Sequence, residues 1–343
     1  MPEASRLDHM RMWSTPVVGL IGGWLASIAD WPLPYMVGSL LSVIAVRCCG
    51  WLLVPLPGGR QAGQWIVASA IGLHFTAPVF AQMLSHLWVV VLGACGTALL
   101  SLIGIAILRR SGVDRATAWF ASMPGGASEM AVLSTRHQAQ PAMVVAAHSL
   151  RLLLVVLIVP ALFTWGLPTA EPAQGGEVDW RWLALLMPLG GLLALVWRRL
   201  GQPNPWMLGP LIICSAASIV FDLDLELPAG AGEAGQWLIG CALGCHFDRA
   251  FFRSAPAFLL RVLLFTLTAM LVAAALAELL SLGAKVDDAS LMLGMMPGGI
   301  TELCLTAEAL HLSVALVTAL QVLRLFLVMF LAEPLYRAWS RLA

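Results

Sequence analysis

A short stretch occurs twice in this chain, MPGGASE at Met123–Glu129 and MPGGITE at Met296–Glu302. Pro-Gly-Gly breaks a helix, and the Ser or Thr and Glu that follow, ahead of an apolar helical pattern, start a new one. The two copies lie 173 residues apart. LPYMVG (Leu33–Gly38) returns as NPWMLG (Asn204–Gly209) after 171 residues, GQWIVASAIGLHF (Gly63–Phe75) as GQWLIGCALGCHF (Gly235–Phe247) after 172, and Leu150-Arg151 as Leu323-Arg324 after 173. Four landmarks in one order at a nearly constant offset identify an internal duplication.

Both copies are too apolar for water. Of 343 residues, 60% are hydrophobic and 11% charged, against about a quarter charged in soluble domains. Runs near the ~20 residues of a spanning helix follow one another with short connections, which predicts an all-α polytopic membrane protein with no soluble domain. A polar tail (1–15, with Glu3, Arg6, Asp8 and Arg11) precedes the first run. No small-residue cleavage site follows that run, so it reads as a retained span. The net charge is zero, and no block of like charges offers a nucleic-acid footprint. The seven cysteines lie almost entirely in apolar runs and behave as small hydrophobes, not as a disulfide framework. Cys241, Cys245 and His246 are spaced one residue too widely for c-type haem attachment, and in the other copy only His74 matches. No metal or cofactor is expected.

Each copy holds five long runs, about 16–31, 34–53, 62–80, 86–108 and 141–165, then about 182–200, 205–221, 235–252, 256–283 and 312–335. The MPGG segments, about 114–138 and 287–310, are too polar and broken for ordinary spans and read as re-entrant. The scheme is therefore a tail (1–15), repeat 1 (16–165), an acidic external linker (166–181), repeat 2 (182–335) and a tail (336–343). Five crossings per copy place Arg6, Arg11, Arg60, Arg109, Arg110, Arg115, Arg198, Arg199, Arg249, Arg253, Arg337 and Arg341 on one side. Glu171, Glu177, Asp179, Asp222, Asp224, Glu226, Asp287 and Asp288 fall opposite, with only Arg181 and Lys285 out of place. Both termini are then cytoplasmic. An odd count inverts the second copy, as in alternating-access transporters.

In that arrangement the two loops meet at mid-membrane. Gly125, Gly126, Gly298 and Gly299 permit close backbone approach, and the helix starts at Ser128 and Thr301 would attract an anion. Arg151 and Arg324 lie half a span deep, where an arginine needs a partner. Glu129 and Glu302 are the natural ones, so the pairs either lock the broken helices or leave the arginines to hold an anionic substrate group while the glutamates bind H⁺ or Na⁺. His148 and Gln321 share the faces of the arginines. Gln64, His74, Gln236 and His246 are duplicated polar residues that serve as interhelical hydrogen bonds or secondary contacts, and Trp65 and Trp237 read as interface anchors.

The duplicated MPGG-x-[ST]-E, GQW and P-x-M-x-G motifs resemble the AbrB-type duplicated membrane proteins of bacteria, from Pro16 to Pro334. Labels inherited in that family, "ammonia monooxygenase" and "regulator of gene expression", imply a copper ligand set or a basic DNA-reading face that this sequence lacks. The architecture is also similar to 2-hydroxycarboxylate transporters, with two inverted five-helix halves and a Gly-Gly re-entrant hairpin in each. That similarity implies substrate-carboxylate contacts at Arg151 and Arg324. The expectation is a bacterial inner-membrane secondary transporter of a small organic anion rather than an enzyme. Its partners are the bilayer, the anionic solute, H⁺ or Na⁺, and a second copy in a homo-oligomer. The alternatives are a membrane-embedded regulator or sensor using the same pocket and, third, a membrane oxygenase.

Overall fold

The computed structural model describes residues 2–166, 176–284 and 286–342, without the side chains of residues 2–11, 128 and 342. Expectations for the side chains of Glu3, Arg6, Asp8, Arg11 and Ser128, and for Glu171 and Lys285, lie outside the described residues. The described chain is helical, with one isolated bridge between Glu177 and Leu225. In order the helices are α1 (Pro2–Ile28), α2 (Pro34–Cys48), α3 (Gly59–Leu73), α4 (Ala77–Ser85), α5 (Leu87–Leu99), α6 (Ser101–Arg109), α7 (Arg115–Ser122), α8 (Ala127–Arg136) and α9 (Pro141–Gly166). They continue with α10 (Trp180–Arg199), α11 (Pro205–Phe221), α12 (Ala231–Gly244), α13 (Arg249–Ser254), α14 (Pro256–Ser281), α15 (Asp288–Met295), α16 (Ile300–Ala309) and α17 (Val314–Leu342).

The second series repeats the first, except that α5 and α6 recur as the unbroken α14. Backbone conformation repeats with it. Ten of the eleven described residues with positive φ fall into five pairs at the sequence offset: Asp30/Gly201, Leu33/Asn204, Gly50/Asp222, Gly58/Gly230 and Gln138/His311. The duplication is thus one of chain geometry as well as residue type.

Two compact units result, and they are not the two repeats. One comprises Met1–Phe80 with Phe163–Ser254, the other Ala81–Leu162 with Ala255–Ala343. Each takes one part of both copies.

In the first unit α1 packs on α2 and α10 on α11, while α3 packs on α11 and on α12, which also packs on α2. The GQW glycines meet where α3 crosses α12: a Cβ on Gly63 would stand 2.8 Å from Gly235 O, and one on Gly235 3.3 Å from Gly63 O. Trp65 Nε1 donates to Met187 O (3.1 Å) and Trp237 Nε1 to Pro16 O (3.0 Å). Each indole therefore ties its own copy to the first helix of the other, a role different from interface anchoring. Pro16 and Pro188, inside α1 and α10, are a further duplicated pair beside those acceptors. Arg47 Nε reaches Phe247 O at 3.0 Å, and Ser218 Oγ reaches Leu73 O at 3.3 Å, a second pair of cross-copy ties.

Among the described residues, five helices are long and apolar enough to cross a bilayer: Leu87–Arg109, Pro141–Gly166, Trp180–Arg199, Pro256–Ser281 and Val314–Arg341. A sixth is counted if α3 and α4, bent by 83°, form one span, and Met12–Ile28, Pro34–Cys48 and Pro205–Phe221 are apolar but shorter. Several of the ten expected runs are therefore shorter or bent helices. The run 62–80 breaks where His74 ends α3, with Nδ1 on Ala70 O at 2.8 Å, and 235–252 divides into α12 and α13. Running hydropathy passes over the first break because the residues around it are mostly apolar, whereas His246, Asp248 and Arg249 mark the second. The N-terminal tail continues into α1, and 336–342 belong to α17.

The second unit packs α5 and α15 against α17, α14 against α5, α6 and α15, and α6 against α7. Val89, Phe265, Ala269, Leu291, Met295 and Leu320 form part of its core, which carries the two MPGG segments.

Candidate functional site

Each MPGG segment is a hairpin. Asp114 and Asp287 cap α7 and α15 by accepting from Thr117 N and Ser290 N, both at 2.8 Å. These helices end at Met123 and Met296, which are extended (φ −60, ψ 137 and φ −61, ψ 144) because the prolines that follow disfavour the α conformation there. Gly126 and Gly299 then cap α8 and α16. The chain returns to its starting level, where Gln140 N donates to Thr117 Oγ1 and Ser313 N to Ser290 Oγ, each at 2.8 Å. Collinear helices would separate those groups by roughly 30 Å at the usual rise per residue.

The next helices climb from the same base, so a residue ten positions into α9 lies about 15 Å up, level with the hairpin tip. That residue is Arg151. Its Nη1 donates to Met123 O (3.2 Å) and its Nη2 to His148 Nδ1 (2.9 Å), while His148 Nε2 donates to Phe120 O (3.0 Å). In the other copy Arg324 Nη1 donates to Met296 O (2.8 Å), and Nη2 to Gly298 O (2.7 Å) and to Gln321 Oε1. Gln321 Nε2 donates to Gly294 O (2.7 Å) and Met296 O (3.2 Å). All four side chains are buried.

Backbone carbonyls are partners of the arginines that the sequence does not announce. The hydrogen bonds that fix them run to carbonyls at the C-terminal ends of α7 and α15, orphan acceptors at the negative end of a helix dipole. Such acceptors partly compensate a buried cation. Imidazole and amide do one job here, a donor to the short helix and an acceptor for arginine, which assigns His148 the neutral Nε2–H tautomer. His148→Gln is therefore expected to unfold within about 1 kcal/mol of wild type, whereas His148→Leu loses about 2–4 kcal/mol by stranding Arg151 Nη2 and Phe120 O. Thermal unfolding of the two purified variants separates these outcomes.

Glu129 and Glu302 occupy the third positions of α8 and α16, the acidic place of a capping box. Both carboxylates fold back over the cap: a Cβ on Gly126 would lie 2.0 Å from Glu129 Oε2, and one on Gly299 2.1 Å from Glu302 Oε2. Only glycine leaves that room. Thr301 and Glu302 are buried and Glu129 half-buried.

The two tips converge on α9. A Cβ at Gly298 would stand 2.7 Å from Val155 Cγ1 and one at Gly299 3.1 Å from Leu152 Cδ2, so the helix that carries Arg151 also lines the second hairpin. Arg324 Nε is buried with no hydrogen-bond partner.

Gly125, Gly126, Glu129, His148, Arg151, Gly298, Gly299, Thr301, Glu302, Gln321 and Arg324 thus all belong to the second unit. Gln64, His74, Gln236 and His246 belong to the first, where Gln236 Oε1 is buried without a partner and both histidines are exposed near helix ends. The hairpin bases, Asp114/Asp287 and Thr117/Ser290, close the hairpins that present the candidate site. Their signal is the 173-residue register itself.

Residues 6–340 match the family model described as "Transition state regulatory protein AbrB". The chain belongs to the AbrB family. Its AbrB-family relatives include "Uncharacterized protein YhjN" of Bacillus subtilis (strain 168), 25% identical over 354 residues and covering 93% of this chain and 91% of that protein. "Putative regulator AbrB" of Escherichia coli (strain K12) is 24% identical over 319 residues, 91% of each. The AbrB assignment agrees with the resemblance carried by the duplicated motifs.

Proposed function

We propose that this AbrB-family protein is a secondary carrier that moves a small organic anion, a carboxylate, through the bacterial inner membrane by alternating access. The observation that carries this reading is the pair of buried arginines, Arg151 and Arg324, each held at the tip of a duplicated broken-helix hairpin. An arginine deep in a membrane protein is costly and marks a pathway more often than a brace. Its planar fork suits a carboxylate, and the N-termini of α8 and α16 begin within a few residues of the arginines' acceptors. Because each hairpin returns to the side it came from, five crossings per repeat remain, the second repeat is inverted, and both termini are cytoplasmic. Glu129 and Glu302 then couple the carrier to H⁺ or Na⁺. The chain works without chemical conversion of its solute.

A second reading has one observation in its favour, the words "regulatory protein" in the family description and "regulator" in the name of the Escherichia coli relative. In it the same pocket senses a metabolite without net flux.

Binding comes first in either case. A thermal-shift panel of acetate, lactate, succinate, malate and citrate, with and without Na⁺, is expected to contain acids that raise the unfolding midpoint. A ligand at a hundred times its Kd adds about 2.7 kcal/mol. Arg151→Lys and Arg324→Lys, which keep the charge but lose the fork, should abolish the shift. A panel in which no acid stabilises the wild type contradicts a carboxylate site.

A further inference from the structure

We infer that the N-terminus of α16 is a carboxylate site whose occupant in this structure is the chain's own Glu302, and that an external carboxylate takes that place as Glu302 takes up a proton. Glu129 on α8 is the counterpart in the other hairpin. This inference rests on the carrier reading above and adds to it the ion and the sign of its coupling.

The geometry comes from two independent copies. In each, a glutamate at the third helical position lies so tightly over the cap glycine that a single added carbon would sit about one covalent bond-length and a half from its oxygen, 2.0 Å in one case and 2.1 Å in the other. A helix N-terminus attracts an anion, and here one carboxylate already fills it. Beside the second cap stands a donor not yet used. Arg324 is only 3% exposed, its Nη2 is spent on Gly298 O one residue before the cap, and its Nε has no partner. The site therefore offers a carboxylate more donors than Glu302 alone takes up.

Two carboxylates at one cap repel, so entry of a second requires that the first become neutral. The titratable and charged groups on the elements around Glu302 are few. They are Arg324 on α17, Arg151 and His148 on α9, Cys304 and Glu308 on α16 itself, Asp287 and Asp288 at the far start of α15, and Glu333, Tyr336, Arg337 and Arg341 on α17 nine or more residues, about 13 Å or further, beyond Arg324. The arginines keep their charge, and His148 accepts from Arg151 through Nδ1 and so has no place for a second proton. The Cys304 thiol is paired with Thr318 at 3.1 Å. Glu308 stands six residues, about 9 Å, further along α16 and Asp287 and Asp288 at the opposite end of α15, so Glu302, the carboxylate that lies over the cap, is the group that changes. On protonation its carboxyl leaves the helix end as a neutral acid, and the incoming anion restores one negative charge to the same donors.

Binding then consumes a proton, so affinity rises as pH falls, by about tenfold per pH unit wherever Glu302 is ionised in the unliganded protein. The test is calorimetry on the full-length protein in detergent with the tightest binder among acetate, lactate, succinate, malate and citrate, in two buffers of different ionisation enthalpy. Wild type is expected to take up protons on binding. Glu302→Gln, whose amide can still occupy the capping position, is expected to bind with reduced proton uptake and an affinity nearly flat with pH. Wild-type binding with no proton uptake overturns the inference without recourse to any variant, as does uptake undiminished in Glu302→Gln. In both cases the carrier reading stands. If none of the five acids binds the wild type, the carrier reading fails and takes the inference with it.

Discussion

Arg324→Ala is expected to lower the stability of the purified protein by about 3–5 kcal/mol, the range for removing one partner of a buried charged network. The loss has a local origin. Met296 O, Gly298 O and Gln321 Oε1 all accept from this guanidinium, and a buried acceptor stripped of its donor costs about 1–3 kcal/mol before relaxation. Arg324→Lys should recover part of this, because one ammonium can serve one carbonyl but not the whole fork. Arg151→Ala should cost less, since its bonds go to one backbone carbonyl and one side chain. Thermal unfolding of the three variants checks the order. An Arg324→Ala protein within about 1 kcal/mol of wild type would show that the hairpin tip does not depend on the guanidinium. The same residue is proposed to hold substrate, so stability and binding must be read on the same sample, with Arg324→Lys as the folded comparison.

Gly299→Ala is expected to weaken carboxylate binding at least tenfold while costing only about 1 kcal/mol of stability. The backbone at Gly299 (φ −87, ψ 153) is open to any residue, so the change acts through the new methyl and not through strain. That methyl cannot coexist with Glu302 Oε2 at 2.1 Å, and Leu152 at 3.1 Å must also give slightly. The carboxylate is driven off the cap, and the methyl obstructs the place an incoming anion needs. Removing the carboxylate first relieves the clash: in a Glu302→Ala background Gly299→Ala should be nearly neutral for stability. The two substitutions then show a coupling of at least about 1 kcal/mol in a double-mutant cycle. Additive costs would mean that the carboxylate does not lie over the glycine. Gly126→Ala and Glu129→Ala, governed by the 2.0 Å contact, should reproduce the pattern in the first hairpin.

Much of this was legible because duplication lets one copy interpret the other. The MPGG break, its proline-imposed end and the capping position of the glutamate follow from residue type and spacing, and the depth of Arg151 and Arg324 follows from counting along an apolar run. The partners of the arginines were not legible in the same way. A carboxylate stands out in a sequence and a backbone carbonyl does not, so the hydrogen bonds of the arginines to Met123 O and Met296 O leave no signal in residue type. The compact units escaped for a related reason. Sequence similarity marks the boundary of a copied gene segment, whereas Phe80–Ala81 and Ser254–Ala255 mark where packing changes, and nothing in hydropathy distinguishes them. A short helix such as α4 is hidden in its run because a bend between mostly apolar residues leaves the running average unchanged.

The direct measurement is uptake of a labelled carboxylate, chosen from the acids that stabilise the protein, into proteoliposomes preloaded with the same acid. Saturable exchange above protein-free vesicles, faster at lower external pH and lost in Arg324→Lys, is the result predicted for a carrier. Binding without exchange, by wild-type protein whose purified sample still shows the full thermal shift, would contradict it and leave a membrane sensor in its place.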